Sequence, residues 1–520
     1  MQNRRIFLLG LLLMIVLAGL PYSKADAANT PKPDSVLLLY DSAAISTPKE
    51  GNVEALERLL ASFGTQVTVH SYDQYQAGML MNYTKVISVR NADDLFQIPD
   101  SYKQDLGNYQ GDFLHIGNQV PMNVQQALGL DEQNVEQDIA SLKIGQLSQK
   151  AIMVNGISYV TKYTGKAYGS LTSDKLKSAA PYAVSNGKYG YIPYMVKGNL
   201  TELAAAYLLR DWLSVKSNHQ LYLLLDEIYP FSNLALLDEL ADRLYEAGIP
   251  FIANVQPVLS NLDYPAAQRY LETLKHVQSR NGSIVVNAPV VASTISQDIT
   301  VLKSEMSSFL DALAGYGIVP LGIGSEMYWT YDDHYAVNGL SYFDSSILFP
   351  NEHVMYRART DKSQAFGSSV YTIPADVLKS YVAQGQILEP LPMDAALVYA
   401  FPDNNKKLDT LMSSLIQDWT LFSDYKYEDH TVRTQVNEMG SGKGQLHING
   451  QTILLNSVLK DISADHAYVQ EGKKSLTNLF SVQNKVFIIL IASTLLIFSA
   501  FLFIGYRLYK RKYTHTGRQL

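Results

Sequence analysis

The chain has 520 residues, 47% of them apolar, a formal charge of −7 and no cysteine. Disulfides, thiolate metal sites and cysteine nucleophiles are therefore excluded, and stability has to come from packing. The acidic balance also argues against nucleic acid or another polyanion as a general partner.

At the start of the chain, Arg4 and Arg5 precede an uncharged run over 6–20 and the small residues Ala25, Ala27 and Ala28. Charge, apolar run and small-residue site in that order predict a secretory signal peptide over 1–27. From 28 to 215 the pattern is first that of a parallel α/β sheet. A buried-strand run, 36–40, ends at Asp41 and leads into a helical face of Val53, Leu56, Leu59 and Leu60; further apolar runs follow at 66–69, 85–89 and 112–116. Asp41 and the 42–47 loop stand where such a sheet places a ligand, but no Gly-rich phosphate fingerprint accompanies them. Between 152 and 195, short alternating stretches with many Tyr and Gly read as antiparallel hairpins, and a helix over 201–213 closes the unit.

The segment 216–425 opens on a continuous apolar strand, 221–225, followed by Asp226 and Glu227. Ser232 or Asn233 caps a helix whose inner face is Leu234, Leu237, Leu240, Ala241 and Leu244; Gly248 ends it, and a strand follows over 251–255. The unit repeats. A helix through Leu271, Leu274 and Val277 leads to a strand that delivers Asn287; another, over 302–314, leads to a strand ending beside Ser325 and Glu326; the run 396–400 precedes Asp403. Parallel strands that each end in a polar residue predict a (β/α) barrel with its site at the strands' C-terminal ends. Asp226, Glu227, Asn287 and Glu326 would share that mouth, with Trp329 beside it offering a face on which a sugar can stack. Two further polar groups, Asp332-Asp333-His334 and Glu352-His353, are either exposed loops or additions to the same site.

Beyond 426 the chain turns polar and alternating, and Asn449-Gly450 marks a hairpin within a β-rich, membrane-proximal stem reaching 484. The run Gly440-Ser441-Gly442-Lys443-Gly444 lacks the spacing of a phosphate loop. No charged residue occurs over 486–506, and 21 residues of helix reach about 31 Å, so one C-terminal transmembrane helix is predicted over 485–506. Arg507, Lys510, Arg511, Lys512 and Arg518 follow without an acid. The positive-inside bias places this 507–520 tail in the cytoplasm, next to anionic lipid, and the bulk of a single-pass protein outside the cell membrane. Without the +2 of the leader and the +5 of the tail, the −7 of the whole leaves −14 on the exported part.

The block LLLDEIYPFSNLALLDELADRLYEAGIPFIANVQP, from Leu223 to Pro257, resembles the opening of a bacterial family of unknown function allied to polysaccharide deacetylases. The likeness continues more faintly through NGSIVVNAPVV and GIVPLGIGSEMYWTYDDHY to about Asp418. It implies a deacetylase-like (β/α) barrel in which Asp226 matches the general base and Glu227 stands at the metal-binding aspartate. The two metal-binding histidines of those enzymes fall on Asn287 and Val291, and the later histidine, expected near 399–401, is absent. Neither an amide nor an isopropyl group replaces an imidazole on zinc. The resemblance thus implies a degenerate module that binds, or supports the processing of, envelope polysaccharide or exopolysaccharide without a cofactor. An active metal-dependent de-N-acetylase, holding a divalent ion such as Zn through Glu227, is one alternative; a surface signalling or assembly protein is the other.

Overall fold

The computed structural model describes residues 35–92, 97–216, 219–289, 300–352, 354–382, 389–417, 420–455, 460, 462 and 477–514. The predicted signal peptide, Val291, His353 and Arg518 lie outside the described residues. The chain divides into two units, one reaching Ile462 and the other beginning at Ser463.

The first unit begins with a nine-stranded sheet, and its strands follow the predicted runs closely. Strands β1 (Ser35–Tyr40), β2 (Gln66–Ser71), β3 (Lys85–Arg90) and β4 (Asp112–Gly117) are parallel, in the order β2-β1-β3-β4. Alternation along β1 feeds both faces. Leu37 and Leu39 join an aromatic core with Tyr72, Tyr102 and Tyr191, whereas Val36 and Leu38 pack with Leu56, Leu59 and Leu208 from the helices Asn52–Ser62 and Leu200–Trp212. The sheet continues through the antiparallel strands β5 (Asp131–Ile144), β6 (Leu147–Lys162), β7 (Lys166–Thr172) and β8 (Ala180–Ser185). Strand β9 (Tyr189–Ile192) joins the halves, parallel to β4 and antiparallel to β8. Asp41, at the end of β1, is consumed structurally: it faces Arg90 at 3.4 Å and accepts the backbone N–H groups of Asn91 and Ala92.

Seven parallel strands then close into a barrel: β10 (Leu221–Ile228), β11 (Phe251–Val255), β12 (Gly282–Asn287), β13 (Pro320–Glu326), β14 (Ser345–Phe349), β15 (Ser368–Pro374) and β16 (Ala395–Ala400), with β16 returning to β10. Helices Leu234–Glu246, Pro265–Ser279, Thr300–Gly315, Asp333–Asn338 and Ala375–Tyr381 fill the connections, except that β14 passes to β15 without one among the described residues. Asn233 caps the first of these helices, its side chain accepting from the N–H of Leu236, and Gly248 leaves it at φ +68°.

Two attachments pack against the barrel, at its N-terminal end and at its side. At the N-terminal end, a small antiparallel sheet of β17 (His430–Arg433), β18 (Glu438–Gly442), β19 (Gln445–Ile448) and β20 (Gln451–Thr452) folds against the strand starts. His430 meets the Ser345 hydroxyl at 2.8 Å, and Lys426 donates to Asn281 at 2.7 Å. Beside the barrel, Asp361 and Ser363 of the β14–β15 connection pair with Val69 and Val67 of β2, and Arg58 of helix Asn52–Ser62 reaches into the barrel wall. Its guanidinium lies 3.8 Å over the Tyr371 ring, bonds the Thr372 carbonyl at 3.1 Å and meets Glu202 at 3.2 Å.

In the second unit, helix Thr477–Thr514 contains a 24-residue stretch, Ile488–Arg511, whose most apolar 18 residues have a mean hydropathy of 2.6. By length and composition it can cross a membrane.

Candidate functional site

The barrel mouth holds a cavity of about 220 Å³. Its lining includes Asp226 and Glu227 from the end of β10, Gln256 after β11, Asn287 at the end of β12, Glu326 at the end of β13 and Glu352 after β14. Four of the predicted site residues, Asp226, Glu227, Asn287 and Glu326, thus meet around one space, and Trp329 lines it too. His334 does not: it is exposed on helix Asp333–Asn338, outside that lining.

Consecutive residues of a strand point to opposite faces, so Asp226 and Glu227 require a local device to share a cavity. A β-bulge supplies it. Between the pairs Leu225↔Ala253 and Ile228↔Val255, β10 advances three residues while β11 advances two, and Glu227 takes the left-handed conformation at φ +62°. Such a backbone is strained for a residue with a Cβ, by about 1–3 kcal/mol, and persists because the flanks are fixed. Leu225 and Ile228 are fully buried on either side of it, and the buried Tyr270 hydroxyl donates to the carbonyl of Gln256 at 3.1 Å.

Asp226 and Glu326 are half-buried, whereas Glu227 and Glu352 are exposed. Burial, reinforced by the charge of Glu352, pushes the Asp226 carboxyl above the usual range, against the hydrogen bond from Asn254. That bond, Nδ2 to Oδ1 at 2.7 Å, fixes the carboxylate's orientation. Asn254 is 1% exposed, and its own Oδ1 has no hydrogen-bond partner. A glycine at 324 makes room for it, since a Cβ there would stand 2.5 Å from this oxygen. At the rim, the Glu326 carboxylate accepts the N–H of Glu352 at 3.2 Å.

The aromatic surface of the mouth differs from the one expected around Trp329. That indole is 2% exposed and stacks on Tyr335 at 4.5 Å, so one of its faces is already covered. The open surface belongs instead to Tyr229, which lines the cavity, and Phe231, which is 83% exposed; their rings stack at 5.0 Å and 16°. Both come from the turn after β10, and the run Tyr229-Pro230-Phe231 ahead of the helix cap was the only signal for them.

The polar group beginning at Asp332 serves the fold. Asp332 is fully buried and accepts the N–H groups of His334, Tyr335, Arg357 and Ala358, which caps helix Asp333–Asn338 and ties down the β14–β15 connection. Glu352, by contrast, belongs to the cavity.

No protein-family model and no curated protein matches the chain. What the mouth can do therefore has to be argued from its own side chains. Zinc in the deacetylases needs imidazoles; among the described residues this lining has none, and no three His, Asp or Glu side chains are grouped to hold a metal ion. The described residues of the lining do not fit that ion. They offer carboxylate acceptors, two amides and an aromatic shelf, a combination suited to a ligand rich in hydroxyl or amine donors with an apolar ring face.

Proposed function

We propose that the barrel mouth is a glycan-binding site of a membrane-anchored protein, on a deacetylase-like (β/α) barrel whose catalytic constellation has been altered. The observation that carries this reading is the pairing, in one cavity, of oriented carboxylates with the exposed Tyr229–Phe231 stack. Sugar rings present alternating hydroxyl edges and C–H faces; carboxylates take the first and aromatic faces the second. The apolar helix Ile488–Arg511 and the basic residues that follow it support attachment to a bilayer with the barrel on the extracytoplasmic side, where envelope polysaccharide or exopolysaccharide is the extended ligand at hand.

Asp226, oriented by Asn254, stands ready as a proton acceptor, and its position is the one the resemblance gives to the general base. De-N-acetylation would need a ligand set that the described residues do not supply, so binding is the function favoured here. The test is retention of the full-length detergent-solubilised protein on immobilised envelope glycans, with Phe231→Ala and Asp226→Asn alongside. Retention of the wild type with loss in both variants supports the reading. Failure to bind any envelope glycan, or equal retention of all three proteins, would remove it; acetate release by the wild type would replace binding with catalysis.

A further inference from the structure

The charge of the mouth allows its ligand to be narrowed. Among the described residues, its lining holds four carboxylates, Asp226, Glu227, Glu326 and Glu352, and no Lys, Arg or His. Resting on the glycan reading above, we propose that the polymer bound here carries free amino groups, as a partly de-N-acetylated hexosamine glycan does, with its ammonium groups among these carboxylates.

Asn254 ties the Asp226 carboxylate to the barrel interior. It sits on β11 and its Oδ1 meets the space over Gly324 on β13, strands separated by β12. Side chains of non-adjacent strands can meet only inside a barrel, so this buried, unpartnered acceptor lies in the interior behind Asp226, beneath the mouth. Asn254 does not itself line the cavity; the bond from its Nδ2 holds the Asp226 carboxylate ready for a donor from the ligand. Like charges also crowd here: Glu352 acts electrostatically on Asp226. A cation relieves that repulsion.

A point cation suits the arrangement poorly. The carboxylates are spread around a cavity of about 220 Å³ and are not grouped for a metal ion, whereas an extended polycation meets them one at a time. The Tyr229–Phe231 shelf suits the same ligand, because an aromatic face attracts both sugar C–H groups and ammonium.

The experiment titrates the full-length protein in detergent micelles with a glucosamine hexasaccharide, its fully N-acetylated counterpart and a glucose hexasaccharide. The amine form should bind at least about tenfold tighter than the other two, with a gap that closes as salt rises from about 50 to about 500 mM. Glu326→Gln and Glu352→Gln should each weaken the amine form by roughly threefold to tenfold and by more than they weaken the N-acetylated form, with near-UV circular dichroism confirming their folds. Equal binding of the amine and N-acetylated forms would overturn the amino-group inference and leave the glycan reading standing. Binding of none of the three would overturn both. Stoichiometric Ca or Zn binding that Glu352→Gln abolishes would also overturn it, in favour of a metal site.

Discussion

Glu57 offers the sharpest quantitative test of how the sheet and barrel are joined. It lies 6% exposed on helix Asn52–Ser62, within the electrostatic reach of Tyr331, Tyr356 and Arg359 from the barrel side. Burial, and then the charge of Glu54, push its carboxyl from 4.5 to about 8, with Arg359 opposing. The sign follows directly. Because the folded value is raised, Glu57's contribution is fully present below about 4.5 and is lost as pH rises through about 8. At pH 7 folding must take up a proton that the unfolded chain has released, across the 2.5 decades between 4.5 and 7; at about 1.36 kcal/mol per decade this costs about 3 kcal/mol. Glu57→Gln removes the cost while keeping the shape. Urea unfolding of wild type and variant, followed by near-UV circular dichroism at pH 5 and pH 7, should show the variant's advantage growing by about 2–3 kcal/mol over that interval. A pH-independent difference, or an advantage that shrinks with rising pH, would refute the reasoning.

Three other outcomes follow from the packing. Gly324→Ala drives a methyl group against Asn254 and should cost about 1–3 kcal/mol while weakening ligand binding through Asp226; in an Asn254→Ala background the same change should cost almost nothing, and additive losses would contradict the contact. Arg58→Met strands Glu202 in the interface between sheet and barrel and should lower stability by about 3–5 kcal/mol in denaturant unfolding, where a loss within 0.5 kcal/mol would mean that the pair is incidental. Deleting 488–511 should move the protein from the membrane fraction to the soluble fraction, and unchanged sedimentation with membranes would disprove the assignment of that helix as the anchor.

Much of this architecture could be read from residue order, because apolar periodicity reports burial directly. Leu221 to Leu225 announced β10, the Leu234 to Leu244 face announced the helix after it, and Asn287 and Glu326 fell at strand ends as expected. Less was legible where the periodic signal is weak. Strand β5 begins Asp-Glu-Gln-Asn and is mostly exposed in its first half, so it carried no apolar run. Strands β14 and β15 open with Ser345-Ser346 and Ser368-Ser369, small polar residues that, apart from the half-buried Ser368, are buried in the barrel where composition suggests a loop. Long-range pairing hid another site feature, since Asn254 acquires its role only when β11 lies beside Asp226, and of the two polar groups left open between loop and site, Glu352 reaches the cavity whereas Asp332 does not. The bulge at Glu227 was equally silent, since a left-handed glutamate has no sequence signature.

Trp329 permits the most direct test of the central claim, because this indole lines the cavity and will report on what enters it. Titrating the full-length protein with envelope glycan fragments while recording tryptophan fluorescence should give a saturable change that is lost in Trp329→Phe and in Asp226→Asn. A change of undiminished size in Trp329→Phe, or no change with any fragment, would contradict ligand entry at the barrel mouth.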